Sequence, residues 1–308
     1  MPRVDVVHLG LMLSALGLAY LLPFELLLIA YAVLGPAHYL TEISWLHDRQ
    51  YFLSAKPIAL VLAAIAVAAV YIPDVPSSGM LIWLAFSGAA LTIGGISWMQ
   101  RGVLAAILLA ITAALVTGHD FVAVSAVLLP TLIHVSVFTL VFMTLGAWRS
   151  GSRSQMALVV IYLAAIALIL LVPPGPMPRS MPLAQLGHHY FGGVAPALGQ
   201  VLHVPNLSFD SRSTGLLSFV YTYHYLNWFI KADVIGWRRI PAGRLSAIVV
   251  LSAAATGLYF YDYAKGFTVL LALSLLHVVL EFPLNTLSMR QLAGIAAQGF
   301  ARPTRTTA

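Results

Sequence analysis

Long unbroken apolar runs constrain this chain more than any other feature. Ten of them occur, at 6–22, 24–46, 57–72, 80–98, 102–117, 120–146, 155–173, 213–231, 244–261 and 266–287. A bilayer core about 30 Å thick is crossed by about 20 apolar residues in a helix, and the runs do not alternate as barrel strands would. Composition agrees: 60% of residues are hydrophobic and 8% charged, with a mean hydropathy of +0.92, where a soluble domain carries about 25% charged residues. The expected fold is therefore all-α, a polytopic integral membrane helical bundle of about ten transmembrane helices. Pro23, Pro57, Pro73, Pro76 and Pro241 mark helix ends or starts. The run 6–22 lacks a small-residue cleavage site and is read as a retained helix, not a signal peptide.

Charge sets the orientation. With the amino terminus inside and ten spans, only Arg179, Arg212 and Lys265 of the 16 Lys and Arg residues fall outside. Short cytoplasmic loops carry such an excess, so both termini are expected to be cytoplasmic, in a bacterial inner (cell) membrane. The same placement explains the pI of 9.7 without invoking nucleic acid. Absence of cysteine excludes disulfides, iron–sulfur clusters and thiolate chemistry. Residues 1–300 read as a single transmembrane domain, and 301–308 as a disordered polar tail. The outside connection 174–212, with His188, His189 and Tyr190, is long enough to serve as a lid.

Ionisable side chains inside spans are costly, so each needs a reason. Here they are His38 and Glu42 in the second span, His134 in the sixth, His224 in the eighth, and His277 and Glu281 in the tenth. All four histidine-bearing spans run from outside to inside. Counted to the inner ends of those spans, the histidines lie roughly 12, 18, 10 and 15 Å up at 1.5 Å per residue. That is one level within the error of the span ends. Four imidazoles at one depth on four helices are what a metal site in a helical core requires. Glu42 and Glu281 each follow a histidine by four residues and share its helix face, so they either join the ligand set or orient the imidazoles. Tyr221, Asn227 and Trp228 lie on the face of His224, and Tyr39 follows His38. His8, His47, His119, His188, His189 and His203 sit at span ends or in loops, where solvation suffices.

Four segments carry a family resemblance. GPAHYLTE at 35–42, LIHVSVFTL at 132–140, FVYTYHYLNWF at 219–229 and LLHVVLEF at 275–282 resemble, in order and approximate spacing, the motifs of the Brp/Blh family of membrane β-carotene dioxygenases. The matching histidines are the four selected on depth. The residues around them depart from the family pattern: the first proline lies further back, at Pro36, Tyr39 replaces a small residue, Thr139 stands near the place of an acid, Trp228 replaces a second histidine, and Leu276 replaces a proline. The resemblance implies a non-haem iron oxygenase in which His38, His134, His224 and His277 hold Fe(2+), with O₂ and a carotenoid or isoprenoid-like lipophile as partners. Glu42, Glu281 and Tyr221 are then assigned to the chemistry, and Tyr39, Asn227 and Trp228 to the substrate. A tunnel opening laterally to lipid would admit that substrate. Two other readings use the same residues: an intramembrane metal-ion or proton transporter, and a structural subunit binding haem through two of the histidines. Substrate, reaction type and oligomeric state are open at this point.

Overall fold

The computed structural model describes residues 3–49, 56–72, 75–91, 97–117, 133–175, 211–231, 236 and 240–297. Nearly all of the 174–212 connection, the 301–308 tail, His119, His188, His189 and His203 lie outside the described residues. Each of the ten apolar stretches contains a helix, and no strand occurs among the described residues. In chain order these are α1 (Arg3–Leu21), α2 (Pro23–Ile29), α3 (Gly35–Asp48), α4 (Lys56–Val70), α5 (Val75–Leu91), α6 (Trp98–Thr117), α7 (Thr139–Ser150), α8 (Arg153–Leu171), α9 (Ser211–Ile230), α10 (Ala242–Tyr261) and α11 (Tyr263–Ala297). A π-helical segment, Ala30–Leu34, joins α2 to α3 as one rod. A second, 133–138, leads into α7.

Among the described residues, six helices are long and apolar enough to cross a membrane: Arg3–Leu21, Pro23–Asp48, Ile133–Ser150, Arg153–Leu171, Ala242–Tyr261 and Tyr263–Ala297. Shorter apolar helices lie at Leu60–Val70, Met80–Leu91 and Trp98–Ala114. The α9 helix is as long as α10 but not in the first group, because its sequence mixes Ser, Thr, Asn and His with aromatics. More than half of its residues are buried, against α1, α2 and the first π segment. A helix enclosed by protein has no need of an apolar outer face, and a polar one there can carry a site. On α1, α8 and α10, by contrast, large apolar side chains such as Leu13, Val160 and Val250 point outward and are exposed.

Local chemistry accounts for the joints. Pro36 has no N–H to give to Ala32 one turn back, and a bare carbonyl is expensive in an apolar core. The hydroxyl of Thr256 on α10 donates to the Ala32 oxygen at 2.8 Å instead. Gly151 ends α7 at φ 65, a left-handed conformation suited to glycine, and Ser152 then caps α8. Between α10 and α11, Asp262 pairs with Lys265 at 2.8 Å, which holds its carboxyl below the usual carboxylate range. At the same corner Gly266 lies so close to α10 that a Cβ would meet the Cα of Tyr259 at 2.1 Å. Gly266→Ala is therefore expected to force the two helices apart. The expected loss is about 1–3 kcal/mol, typical of overpacking, read as a lowered unfolding midpoint in neutral detergent.

Two apolar cores result. One gathers α1, α2, α8 and α9 around Phe24, Tyr162, Phe219 and Tyr223. The other joins α4, α5 and α11 around Leu62, Phe86, Val278 and Val279. The α3, α9 and α11 helices and the start of the α7 rod meet between them, and that meeting point holds the buried His38, Glu42, His134, His277 and Glu281.

Candidate metal centre

His38 comes from α3, His134 from the π segment before α7, His224 from α9 and His277 from α11. Their rings form a closed quadrilateral. Centroids are 4.7 Å apart for His38–His224, 5.2 Å for His224–His134, 5.0 Å for His134–His277 and 5.3 Å for His277–His38. Neighbouring planes are steeply crossed, at 69° to 83°. The Nε2 atoms of His38 and His224 are 3.1 Å apart, and those of His134 and His277 are 3.2 Å apart. Nitrogens bound at about 2.1 Å to one tetrahedral or octahedral ion lie about 3.0–3.4 Å from each other. The four residues each offer a nitrogen within 4.8 Å of the others. The sequence-derived histidine set is thus brought together as a buried cluster that could hold a metal ion.

The donors suit such an ion. All are nitrogen or oxygen, a set that fits iron, zinc, copper or nickel. The Nε2 atoms of His38 and His224, and those of His134 and His277, face one another, and the buried Glu42 Oε2 is also close to His38 Nε2. Lone pairs and carboxylate charge converging in one buried place are unfavourable, and a cation at the centre offsets them.

The carboxylates do not divide as helix spacing alone suggests. Glu42 reaches its own i−4 histidine, with Oε2 3.0 Å from His38 Nε2. Glu281 instead lies 3.3 Å from Nδ1 of His134 on another helix. Glu42, Glu281 and His277 also come within 4.8 Å of one another through single donor atoms. The two acids therefore sit together on one side of the imidazoles and supply negative charge against a divalent cation.

Surrounding side chains fix the rings. Tyr39 stacks on His277 at 4.3 Å and 24°, and its hydroxyl shares a 2.6 Å hydrogen bond with Tyr225. Tyr221 stands behind Tyr225, between it and Tyr31, and is removed from the imidazoles. Trp228 meets His38 edge-on at 5.6 Å and donates to the Thr41 hydroxyl at 3.0 Å. One residue had no assigned role in the sequence: the Thr139 hydroxyl lies 2.8 Å from Nδ1 of His224. Thr139 is five residues from His134, an offset that a 3.6-residue helix turns away. The intervening π segment, with its i→i+5 bonds, brings both inward. Holding Nδ1 of His224 leaves Nε2 for a metal. Thr139→Val is expected to weaken metal affinity about 10–100-fold while leaving the fold intact, measured by competition with a calibrated chelator.

A cavity of about 370 Å³ reaches the cluster. His38, His224, Glu42 and Glu281 line its inner end; Asn227 and Trp228 line its wall, and Tyr39 and Tyr221 do not. His134 and His277 stand behind. The cavity extends along α7, α9 and α11 to Arg149, Lys231 and Gln291, so it leads to the basic end of the bundle. No family model, curated protein or solved structure matches this chain significantly.

Proposed function

We propose that the protein is a membrane-embedded, histidine-ligated iron oxygenase acting on a lipophilic substrate. It would cross the membrane ten times, with both termini in the cytoplasm. The observation that carries this reading is the closed ring of four imidazoles inside the bundle, two of which border the inner end of a cavity. Resemblance of the four histidine segments to the Brp/Blh dioxygenases supports iron and a carotenoid or other isoprenoid substrate. The chemistry supplied by iron(II) in such a nitrogen/oxygen site is the coupling of O₂ to oxidation of an organic molecule.

The chain's own residues then have distinct tasks. His38, His134, His224 and His277 hold the ion, with Thr139 fixing His224 and Tyr39 bracing His277. Glu42 and Glu281 balance its charge, Glu42 from beside Nε2 of His38, and Glu281 orients His134 through Nδ1. His38 and His224 border the cavity, so the accessible side of the centre is theirs. Trp228 and Asn227 line the approach, and the buried Asn227 Oδ1, which has no hydrogen-bond partner among the described residues, is available to a polar group of the substrate. On the His277 side the space is filled by Tyr39, Tyr225, Tyr221 and Tyr31. That favours a one-ended pocket over the transmembrane path a transporter needs. Anaerobically iron-loaded protein, mixed with O₂ and micellar β-carotene, is expected to consume O₂ and form an aldehyde product. His277→Ala should do neither. Iron-loaded wild type that consumes no O₂ with β-carotene or with shorter isoprenoids would remove the oxygenase reading.

A further inference from the structure

The cavity wall is amphipathic along its length. Trp45, Phe142, Leu145, Leu284 and Leu287 supply apolar surface, and Arg149 and Lys231 stand at the end away from the histidines. Lys231 follows His224 by seven residues and comes directly after the last residue of α9, about 10 Å further along the helix axis between backbones. Among the described residues its ammonium makes no direct ion pair, Glu42 and Glu281 attracting it only through space, and the only side-chain partner of the Arg149 guanidinium is the Gln291 amide oxygen. The charges count as follows. Four neutral imidazoles, two carboxylates and a divalent ion sum to zero at the inner end. The two cations further along the same cavity are then left over. Asp233 is close in sequence to Lys231, but the same stretch holds Arg238 and Arg239, and Arg244 beyond them already pairs with Asp48, so basic residues outnumber the acid there. Uncompensated charge beside a partly desolvated apolar cavity is unfavourable and calls for an anion.

We infer that the cavity takes a single-tailed lipophile with an anionic head, carboxylate or phosphate, held by Lys231 and Arg149 with its tail directed at the histidines. This rests on the metal reading through the charge count. It also departs from a wholly apolar substrate, since a hydrocarbon would leave both cations unmatched. A headgroup anchored at the basic end of the cavity would fix which tail carbon lies beside the imidazoles, so the basic pair would also determine where along the tail the substrate meets the centre.

The test is binding of radiolabelled palmitate to metal-loaded full-length protein in a neutral maltoside detergent, with methyl palmitate, decyl phosphate and inorganic phosphate beside it. Palmitate and decyl phosphate should bind at least tenfold more tightly than the ester, and inorganic phosphate should compete poorly. Lys231→Gln and Arg149→Gln should each reduce the preference for palmitate, and Lys231→Arg should retain it, with metal content unchanged in all three. Equal binding of acid and ester by metal-loaded wild type overturns this inference and leaves the metal centre standing. So does a palmitate preference that survives both glutamine substitutions. Competition by inorganic phosphate equal to that by decyl phosphate would show a site for free anions and would likewise overturn it. Metal-free wild type that prefers palmitate as strongly as the metal-loaded protein would overturn the charge count on which this inference rests.

Discussion

Stripping metal from the purified protein is expected to lower its unfolding temperature sharply, and re-adding iron(II) should restore it. A ligand that binds only the folded state stabilises it by about 4 kcal/mol when present at about 1,000 times its dissociation constant. Here the effect has a structural source. Without an ion, the carboxylates of Glu42 and Glu281 stay buried beside one another and beside His277, within 4.8 Å. The Nε2 atoms at 3.1 and 3.2 Å then also face each other with at most one proton between them. Calorimetry or a fluorescence melt in detergent, with and without a membrane-permeant chelator, measures the difference. A chelator shift absent from wild type contradicts the account. The same shift persisting in His277→Ala would mean the stabilising ion sits elsewhere.

Replacing any one histidine by alanine should have the second large effect, loss of stoichiometric metal. The four are not equivalent. His134 and His277 stand behind the cavity, with His277 braced by Tyr39 and His134 beside Glu281. His224 is only partly buried and faces the cavity with His38. Substitution at His134 or His277 should therefore be the most damaging, since no water enters easily to replace the lost ligand. At His224 a water can occupy the place, and weaker residual binding is expected there. Glu281→Gln should lie between, with affinity reduced about 10–100-fold, because it orients a ligand and balances charge. Elemental analysis of monodisperse variants reads these differences directly. A merely structural histidine cluster would lower yield without this gradient in bound metal.

The helices and the histidine set were readable from the sequence because both follow from hydropathy alone. Ten apolar runs delimit the ten helical stretches, and the scarcity of ionisable groups inside them singles out His38, His134, His224 and His277. What could not be read depends on departures from regular helix geometry and on neighbours in other helices. The i+4 rule pairs Glu281 with His277, but the packing of α11 against α7 puts Glu281 beside His134. Thr139 reaches His224 only because residues 133–138 are π-helical. The stacking of Tyr39 on His277 is likewise a contact between α3 and α11, where the family resemblance assigned Tyr39 to the substrate. The α9 helix reads as one more span by length, yet its burial shows a lining helix inside the bundle. The tunnel expected to open sideways to lipid instead follows α7, α9 and α11 to Arg149 and Lys231. No local pattern specifies that direction, since each wall residue comes from a different helix.

The central claim is that the four imidazoles are ligands of one metal ion. Elemental analysis of wild-type protein, purified in neutral detergent from iron-replete cells without chelating resins, tests it most directly, with the four histidine-to-alanine variants run alongside. Wild type is expected to carry about one first-row transition metal ion per chain, iron foremost, with a marked loss in each variant, deepest for His134→Ala and His277→Ala. Wild type carrying no bound metal under these conditions would contradict it, as would metal retained at the wild-type level in all four variants.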